Sequence, residues 1–557
     1  MKKIFFALIA LTTICNITAV AQSWQWVSSG QANYFDQVEW ITVDKCGNTY
    51  VTGSFYNTLT IDTFQLVSNG YKDVFWVKYN KHGQVIWAKS TGGNNDDDPG
   101  GIAVDNAGNV YVFLSFSDTI SNGGFQAFNS GYRNDLLLAK YDSSGNLLTY
   151  KTWGTPYAEI ATSIAINKNN QLIIYGSFNG YNGVVPPPVA ARMLVLDSNH
   201  ILQSYSNYGQ DIFIVKLDTS LTILFSKSAE GNTGTNKILA DYNGNNFITG
   251  TSAYKMKFDA ILLTAPYIFV WIAKYDSTGN ALWANMGTSN FMGTYGILCS
   301  TSPKGNVYCV GQYDTPPNIS PYSQITFGNT TLTGDYAFMV KYDPAGNLKW
   351  AKNVGKTARD AAYDVAVDAH DNIYVTGTFN YMGVFGSDTF YTVGHNDLFV
   401  NKYDSNGNHI WTTTAGGISN DGGYAIILDK NQNILVGGYI ASTPAYFGNH
   451  QVSSAGNWDM CVAKLSPWTT DIEQPKEIDK FISIYPNPNS GSFQVELKKG
   501  KYQLLTITDV NGKVIYRQQL SQAQSRLNIN IALSNGMYFI RLTNAKESVI
   551  QKFIVPH

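Results

Sequence analysis

The sequence predicts an all-β chain: a seven-bladed β-propeller of four-stranded blades, followed by a small antiparallel β-sandwich. Three observations carry that prediction. A ten-residue phrase of the type "KYDSNGNHIW", read from Lys402, recurs through most of the chain. A second phrase, "VDKCGNTYVTGSF" from Val43, recurs in step with it. The composition, with 36 Tyr, 28 Phe, 12 Trp and 50 Gly against 14% charged residues, suits aromatic-rich strands joined by tight turns.

The first phrase begins at Lys78, Lys140, Lys216, Lys274, Lys341 and Lys402, and is cut short as "KLSPW" from Lys464. Successive lysines are 62, 76, 58, 67, 61 and 62 residues apart. The second phrase begins at Val43, Val104, Ile166, Ala240, Thr301, Val367 and Leu428. Two phrases repeated together seven times define a tandem array, which also explains how 557 residues fold without one very large core.

Each phrase reads as strand, tight turn, strand. Asp44 can hydrogen-bond the turn backbone and Gly47 supplies the left-handed residue; Asp404 and Gly407 repeat the device. One repeat is then four strands, "ITV", "TYVTGSF", "DVFWVKY" and "QVIWAKS" in the first copy. The connection between the second and third strands varies, from 56–72 in the first repeat to 179–210 in the third. Four-stranded units repeated radially are propeller blades. "KLSPW" has no turn and no strand after it, whereas "SWQWVSSG" from Ser23 matches "VIWAKSTGG" from Val85, with Trp26 at the Trp87 position. The N-terminal strand is therefore expected to complete blade seven and to close the ring, hiding edges that an open array would expose.

Over 22–466 the pattern "VDxxGNxYVTGxF" followed by "DxFVxKYDxxGNxxW" resembles the SBBP-type bacterial β-propeller repeat. Blades one, two and six match it best; Leu221 replaces the turn glycine in blade three and Phe269 the strand-opening Asp in blade four. The resemblance implies a fold and a scaffold, and no reaction.

At the N-terminus, Lys2 and Lys3 precede the apolar run "IFFALIALTTIC", and Ala19-Val20-Ala21 supplies a small-x-small cleavage site. Residues 1–21 read as a signal peptide cleaved before Gln22. Ile14 before Cys15, where a lipobox needs a small residue, argues against lipidation. The mature chain has no uninterrupted apolar span of about 20 residues, so no transmembrane segment is expected. A net charge of -2 gives no electrostatic reason to expect nucleic acid or an anionic membrane as partner.

The repeats end in a polar stretch, 467–479, that reads as a linker. In 480–557 the segments "FISIYPNPNSGSFQVEL", "LLTITDVNGKVIY", "LSNGMYFIRL" and "ESVIQKFIV" alternate apolar and polar residues, with Asn511-Gly512 and Asn535-Gly536 as turns. Tyr485-Pro486-Asn487-Pro488, the Asp509 to Gly512 turn, Gly536 and Tyr538 in "GMYF", and Lys552 before Phe553 together resemble the type A sorting domain of type IX secretion. That resemblance implies delivery through the type IX secretion machinery to the outer cell surface or beyond, and no catalysis.

Candidate binding residues come from position within the repeat. Eight residues before the hairpin aspartate, Asp36, Asp97, Glu159, Asp360 and Asp421 recur, with Thr233 and Thr294 in blades four and five. With the apolar strand innermost, these acids would gather at one mouth of the central channel, where oxygen ligands suit a cation. The alternative is that each caps backbone amides of the loop entering its blade. No other cofactor is indicated. Asp73, Asp135, Asp211, Asp397 and Asp459 open the third strand of their blades, one copy each, which marks a structural bond.

Catalytic signatures are lacking. Gly355-Lys356-Thr357 needs a glycine where Trp350 stands to be a phosphate loop. The seven histidines show no zinc-binding spacing, and no G-x-S-x-G elbow occurs. Carboxylate pairs that converge from distant blades are invisible in a linear reading, so a polysaccharide-active enzyme stands as the alternative function. The leading expectation is a binding or adhesion scaffold for a glycan or protein ligand, with the variable second-to-third connections, such as "NGYNGVVPPPVAARM" and "YDTPPNISPYSQITFGN", building the surface. A purely structural surface protein is the third reading.

Four cysteines remain after cleavage. Counting outward from a three-residue turn between Ser302 and Asn306 sets Cys299 opposite Cys309. A non-hydrogen-bonded pair there, with α-carbons about 4.5 Å apart, would allow a strained disulfide closing a loop of about ten residues. Two buried thiols are the alternative.

Overall fold

A computed structural model describes residues 23–466 and 482–555, apart from 121–123, 130–132, 182–192, 205–208, 242, 290–293, 314–323, 335–336, 356, 358–359, 487–490, 498–501, 510–513, 521–525 and 544–547. The expected signal peptide and linker lie outside the described residues, as do most of the two long connections quoted above. The chain divides into two compact units, Ala21–Pro467 and a C-terminal unit beginning at Trp468.

In the larger unit, strand pairings build seven four-stranded antiparallel blades. Blade one runs Asp36–Val43, Thr49–Ile61, Phe64–Tyr79 and Val85–Thr91. Blade seven runs Asp421–Leu428, Ile434–Ile440 and Asp459–Leu465, and its fourth strand is Trp24–Ser29 from the N-terminus. Trp26 pairs with Lys464 there as Trp87 pairs with Lys78 in blade one, the register anticipated from the sequence. The innermost strands touch in chain order, and the seventh, Asp421–Leu428, returns to the first. The ring is closed. Ile102, Ile164, Ile238, Ser300, Val365 and Ile426 join Ile41 around a central channel, one residue from each blade.

The turns behave as their composition requires. Asp44 accepts the amides of Cys46 and Asn48 at 2.8 and 2.9 Å, and Gly47 takes a φ of +86°. Blade three manages without glycine: Leu221 holds φ +64°, with its side chain buried in the core. In blade seven Gln432 does the same.

Two features differ from the linear reading. In blade one, 56–72 is not a loop: the second and third strands continue past the blade as a hairpin, bulged at Tyr56 and Thr58. Buried Leu59, Ile61 and Leu66 explain the extension, because they supply apolar surface for a longer ladder. Blades four and six extend likewise. Between blades three and four, the expected loop is instead continuous strand, Ile223–Ala240, the last strand of one blade and the first of the next.

The recurrent Lys and Trp have a shared task. Lys78 Nζ and Trp87 Nε1 both donate to the carbonyl of Ser143, in a turn of blade two, at 2.7 and 3.3 Å. Lys274 and Trp283 donate to Pro344, and Lys341 and Trp350 to Ser405, in the same way. With Lys140 reaching Thr219 and Lys216 reaching Ser277, blades one to five each grip a turn of the next. A lysine head buried beside an aromatic ring is tolerated because the carbonyl satisfies it and the ring face attracts it, as with Lys78 5.3 Å from the Tyr50 ring centre. Trp26 Nε1 donates to Lys81, in the corresponding turn of blade one, and carries the pattern across the seam.

The C-terminal unit has a three-stranded sheet, with Ser492–Leu497 between Ile482–Tyr485 and Arg526–Asn530. Its four-stranded sheet orders Val514–Gln519, Leu504–Asp509, Gly536–Thr543 and Ser548–Val555. Phe493 from one sheet meets Phe553 from the other with ring centres 4.5 Å apart, so the two sheets share a core.

Candidate functional site

The five recurrent acids are buried, with exposures of at most 2%. Asp97 accepts the amides of Gly93 and Ser117, and Glu159 that of Thr155. Asp421 accepts three, from Gly417, Ala441 and Ser442, and Asp36 accepts that of Met460 at 2.7 Å. Asp360 takes the Thr357 hydroxyl at 2.7 Å. None of the five lines the channel cavities. Asp97 and Asp421 tie the loop entering their blade to the end of its second strand, Glu159 and Asp360 hold that loop, and Asp36 holds blade seven at Met460, so the five do not stand as open oxygen ligands around the described cavities. The pleat explains the outcome: successive side chains alternate faces, so a shift of one residue decides between lumen and blade interior. Among the described residues no three His, Cys, Asp or Glu side chains gather as a metal site. The side chains of Thr233 and Thr294 lie outside the description.

Burial leaves these carboxyls reluctant to ionise. It pushes Asp36 up to about 8, helped by the charge of Asp459 and opposed by the Met460 amide. Asp97 and Asp360 are pushed up to about 7 by the same cause. The third-strand acids are buried too: Asp73 accepts the Asn69 amide, Asp211 that of Gly231 and Asp459 that of Ala32.

Cys299 stands directly opposite Cys309 in the ladder, as counted from the turn. Both are buried and stand as free thiols in this structure. They pack as small apolar groups in the blade core, and burial pushes the Cys309 thiol well above its ordinary range. Of the sorting motif, Tyr485 is exposed and Pro486 follows it, while Asn487 and Pro488 lie outside the described residues. Gly536 opens its strand, Tyr538 is buried and donates to the Ser534 carbonyl at 2.8 Å, and Lys552 pairs with Phe539 in the ladder.

What the structure assembles instead lies where the innermost strands begin, on the face from which the second-to-third connections leave. A cavity of about 560 Å³ opens there. Trp40, Tyr363 and Tyr424 enter its wall, beside Gln37, Gln210 and Asn236. An ion pair closes its floor: Lys237 of blade four reaches Asp364 of blade six, whose other oxygen accepts the Ile426 amide at 3.0 Å. Asp364 also borders the inner cavity of about 500 Å³ that fills the channel.

From this mouth a run of aromatic rings leads outward over blades six, seven and one. Tyr363 meets Tyr424 at 5.0 Å between centres, and Tyr424 meets Tyr439 at 5.3 Å. Tyr439 stacks on Trp458 at 4.4 Å, Trp458 meets Phe35 at 5.4 Å, and Tyr34 links Phe35 to Tyr56 at 4.9 and 5.3 Å. The linear reading missed this run, because its members come from residues 34 to 458. Tyr at alternate or edge positions of strand ends, as in "DGGYAI" and "AAYDVA", was the available signal.

A closed ring of four-stranded blades followed by a separate sandwich defines a β-propeller protein with a C-terminal accessory domain. Residues 483–556 match the family described as Secretion system C-terminal sorting domain, so the chain is one routed to the cell surface or released through type IX secretion. The chain is similar to an uncharacterized WD repeat-containing protein of Acanthamoeba polyphaga mimivirus, 25% identical over 64% of this chain and 25% of the relative. It is also similar to the regulatory protein FlaEY of Caulobacter vibrioides, 28% identical over 37% of this chain and 22% of that one. The chain thus spans about a quarter of the length of these curated relatives. Among solved structures, the plexin A4 extracellular region aligns with a TM-score of 0.37 and 9% identity, over 96% of this chain and 53% of that one. Prolyl oligopeptidase B of Galerina marginata aligns with a TM-score of 0.36 and 8% identity, over 85% and 56%.

Proposed function

We propose that this protein is a binding module, made with a signal peptide over 1–21, carried outward by its C-terminal domain, and presenting one ligand site at this channel mouth. The observation that supports it best is the aromatic run ending in a polar cavity. Tyr34 and Phe35 are 45% and 37% exposed, and their neighbours brace them. Rings already fixed in place lose little entropy on meeting a ligand, which favours binding. The rigid ring below supplies the scaffold.

The experiment is a ligand screen on the secreted chain, against glycan and protein arrays, followed by a Tyr424→Ala comparison. Ligands retained by the parent and lost by the variant support the site; retention unchanged by Tyr424→Ala removes it. A hydrolase reading has one observation in its favour. Glu39 and Asp98 both border the cavity, and burial raises the Glu39 carboxyl above its ordinary range, as a general acid requires. Turnover of a polysaccharide that stops in Glu39→Gln would replace the binding reading.

A further inference from the structure

Resting on that binding reading, we infer that the ligand at this mouth is a neutral carbohydrate chain. The first ground is charge. The charged side chains around the cavity are already neutralised: Asp98 is held by Lys72 and Asp364 by Lys237. Glu39 is raised by burial and accepts the Ser54 hydroxyl at 2.8 Å. Among the described residues that border the cavity no cation is left to recruit a phosphate or a carboxylate, so an anionic ligand finds no partner among them.

The second ground is the kind of polar group present. The wall is set with neutral donors and acceptors: Gln37, Thr162, Ser177, Gln210, Thr235 and Asn236. Several answer each other, as Ser177 does in donating to Gln210 at 2.9 Å. Asn236 Oδ1 is buried and has no hydrogen-bond partner. A buried acceptor left unmade costs about 1–3 kcal/mol, and a ligand hydroxyl is the group that would relieve it. Amide and hydroxyl groups that both donate and accept match sugar hydroxyls, which do the same.

The third ground is the flat apolar surface beside those groups. A pyranose ring presents polarised C–H bonds on its face and hydroxyls at its rim. The C–H face suits the electron-rich faces of Trp40, Tyr363 and Tyr424, and the rim suits the amides. The run continues outward through Trp458 and Phe35 to Tyr34, so further sugar units of one chain would meet further rings after leaving the cavity. A peptide would draw on an unpaired strand edge or charged anchors instead, and the described residues of the wall offer neither.

The test titrates the full secreted chain with neutral oligosaccharides (gluco-, manno-, xylo- and galacto-series) by calorimetry, at low and high salt. Two variants accompany it. Tyr424→Ala removes an aromatic face; Asn236→Leu removes the unpartnered acceptor and should leave the fold at least as stable. Expected is saturable binding of one neutral series, unchanged by salt, and about tenfold weaker in Asn236→Leu. Binding confined to charged polysaccharides, or binding of neutral ones unaffected by either variant, overturns the inference. A protein ligand lost in Tyr424→Ala, with every oligosaccharide silent, overturns the sugar assignment and leaves the binding site standing. If no ligand of any class depends on Tyr424, both fall.

Discussion

Trp26 is where the seam between blades seven and one can be tested. The indole is 9% exposed, stacks on Tyr79 at 6.2 Å, lies against Gly83 and donates to the Lys81 carbonyl at 3.3 Å. Replacing a buried Trp by Ala costs about 3–5 kcal/mol through lost transfer energy and the cavity left behind. The lower end applies, because the indole sits at the rim where water can enter, and the long hydrogen bond adds under about 1 kcal/mol. With an unfolding entropy of about 2 cal/mol/K per residue, a propeller of this size loses only about 1 °C per kcal/mol. Trp26→Ala should therefore lower the calorimetric midpoint by about 3–4 °C, and Trp87→Ala, 7% exposed in the equivalent contact, by a similar amount. Hydrogen exchange separates the two. Only Trp26→Ala should speed exchange in Trp24–Ser29 and Asp459–Leu465, the strands that hold the ring shut. If Trp26→Ala leaves those amides as protected as in the parent, the N-terminal strand is not the latch.

Three other outcomes are expected. Gln432→Gly relieves a left-handed backbone and removes an amide oxygen buried without a partner. It should raise stability by about 0.5–1 kcal/mol in urea titration, whereas Gly47→Gln should lower it by about 1 kcal/mol; equal effects of either sign would refute the strain argument. Asp36, Asp97 and Asp360 are raised by burial, so their contribution is full below the ordinary carboxylate range and is lost as pH rises through about 7–8. The midpoint should fall from about pH 5 to about pH 8, less steeply in Asp36→Asn, and a flat profile would sink the assignment. In the opposite sense, hairpin carboxylates such as Asp343 are lowered by their Asn hydrogen bonds and lose their contribution only in acid. Finally, removing 480–557 should leave a folded ring in the periplasm; efficient surface delivery of that truncation would contradict the sorting role.

The ring was legible because its repeat is local. A turn aspartate, a left-handed glycine and alternating strands sit within thirteen residues, and each copy states them again. The seam was legible too, since Trp26 copies Trp87 and the last blade lacks that strand. The cross-blade grip was not. Lys78 meets Ser143 only because blade two stands beside blade one, and its own segment says nothing of which carbonyl it reaches. The acids show a different failure. Their regular spacing was visible, but whether Asp97 faced the lumen or its own loop turned on strand parity across a bulge between Pro99 and Gly101. The aromatic mouth required three blades to be placed side by side.

The seam also sets an order of events. Ser23 donates its amide to Ser466, 443 positions away, while the other joints link blades that follow each other directly in the chain. The entropic cost of so long a loop grows only as the logarithm of its length, so distance is a small obstacle. Time is the larger one. During vectorial synthesis or passage across a membrane, the strand that arrives first has no partner until the last blade has followed. For that whole interval Trp24 and Trp26 and a bare strand edge stay open to any neighbour with an edge of its own. An interrupted chain is thus not a smaller propeller; it is an arc with two adhesive ends, and two such arcs can find each other before either finds itself.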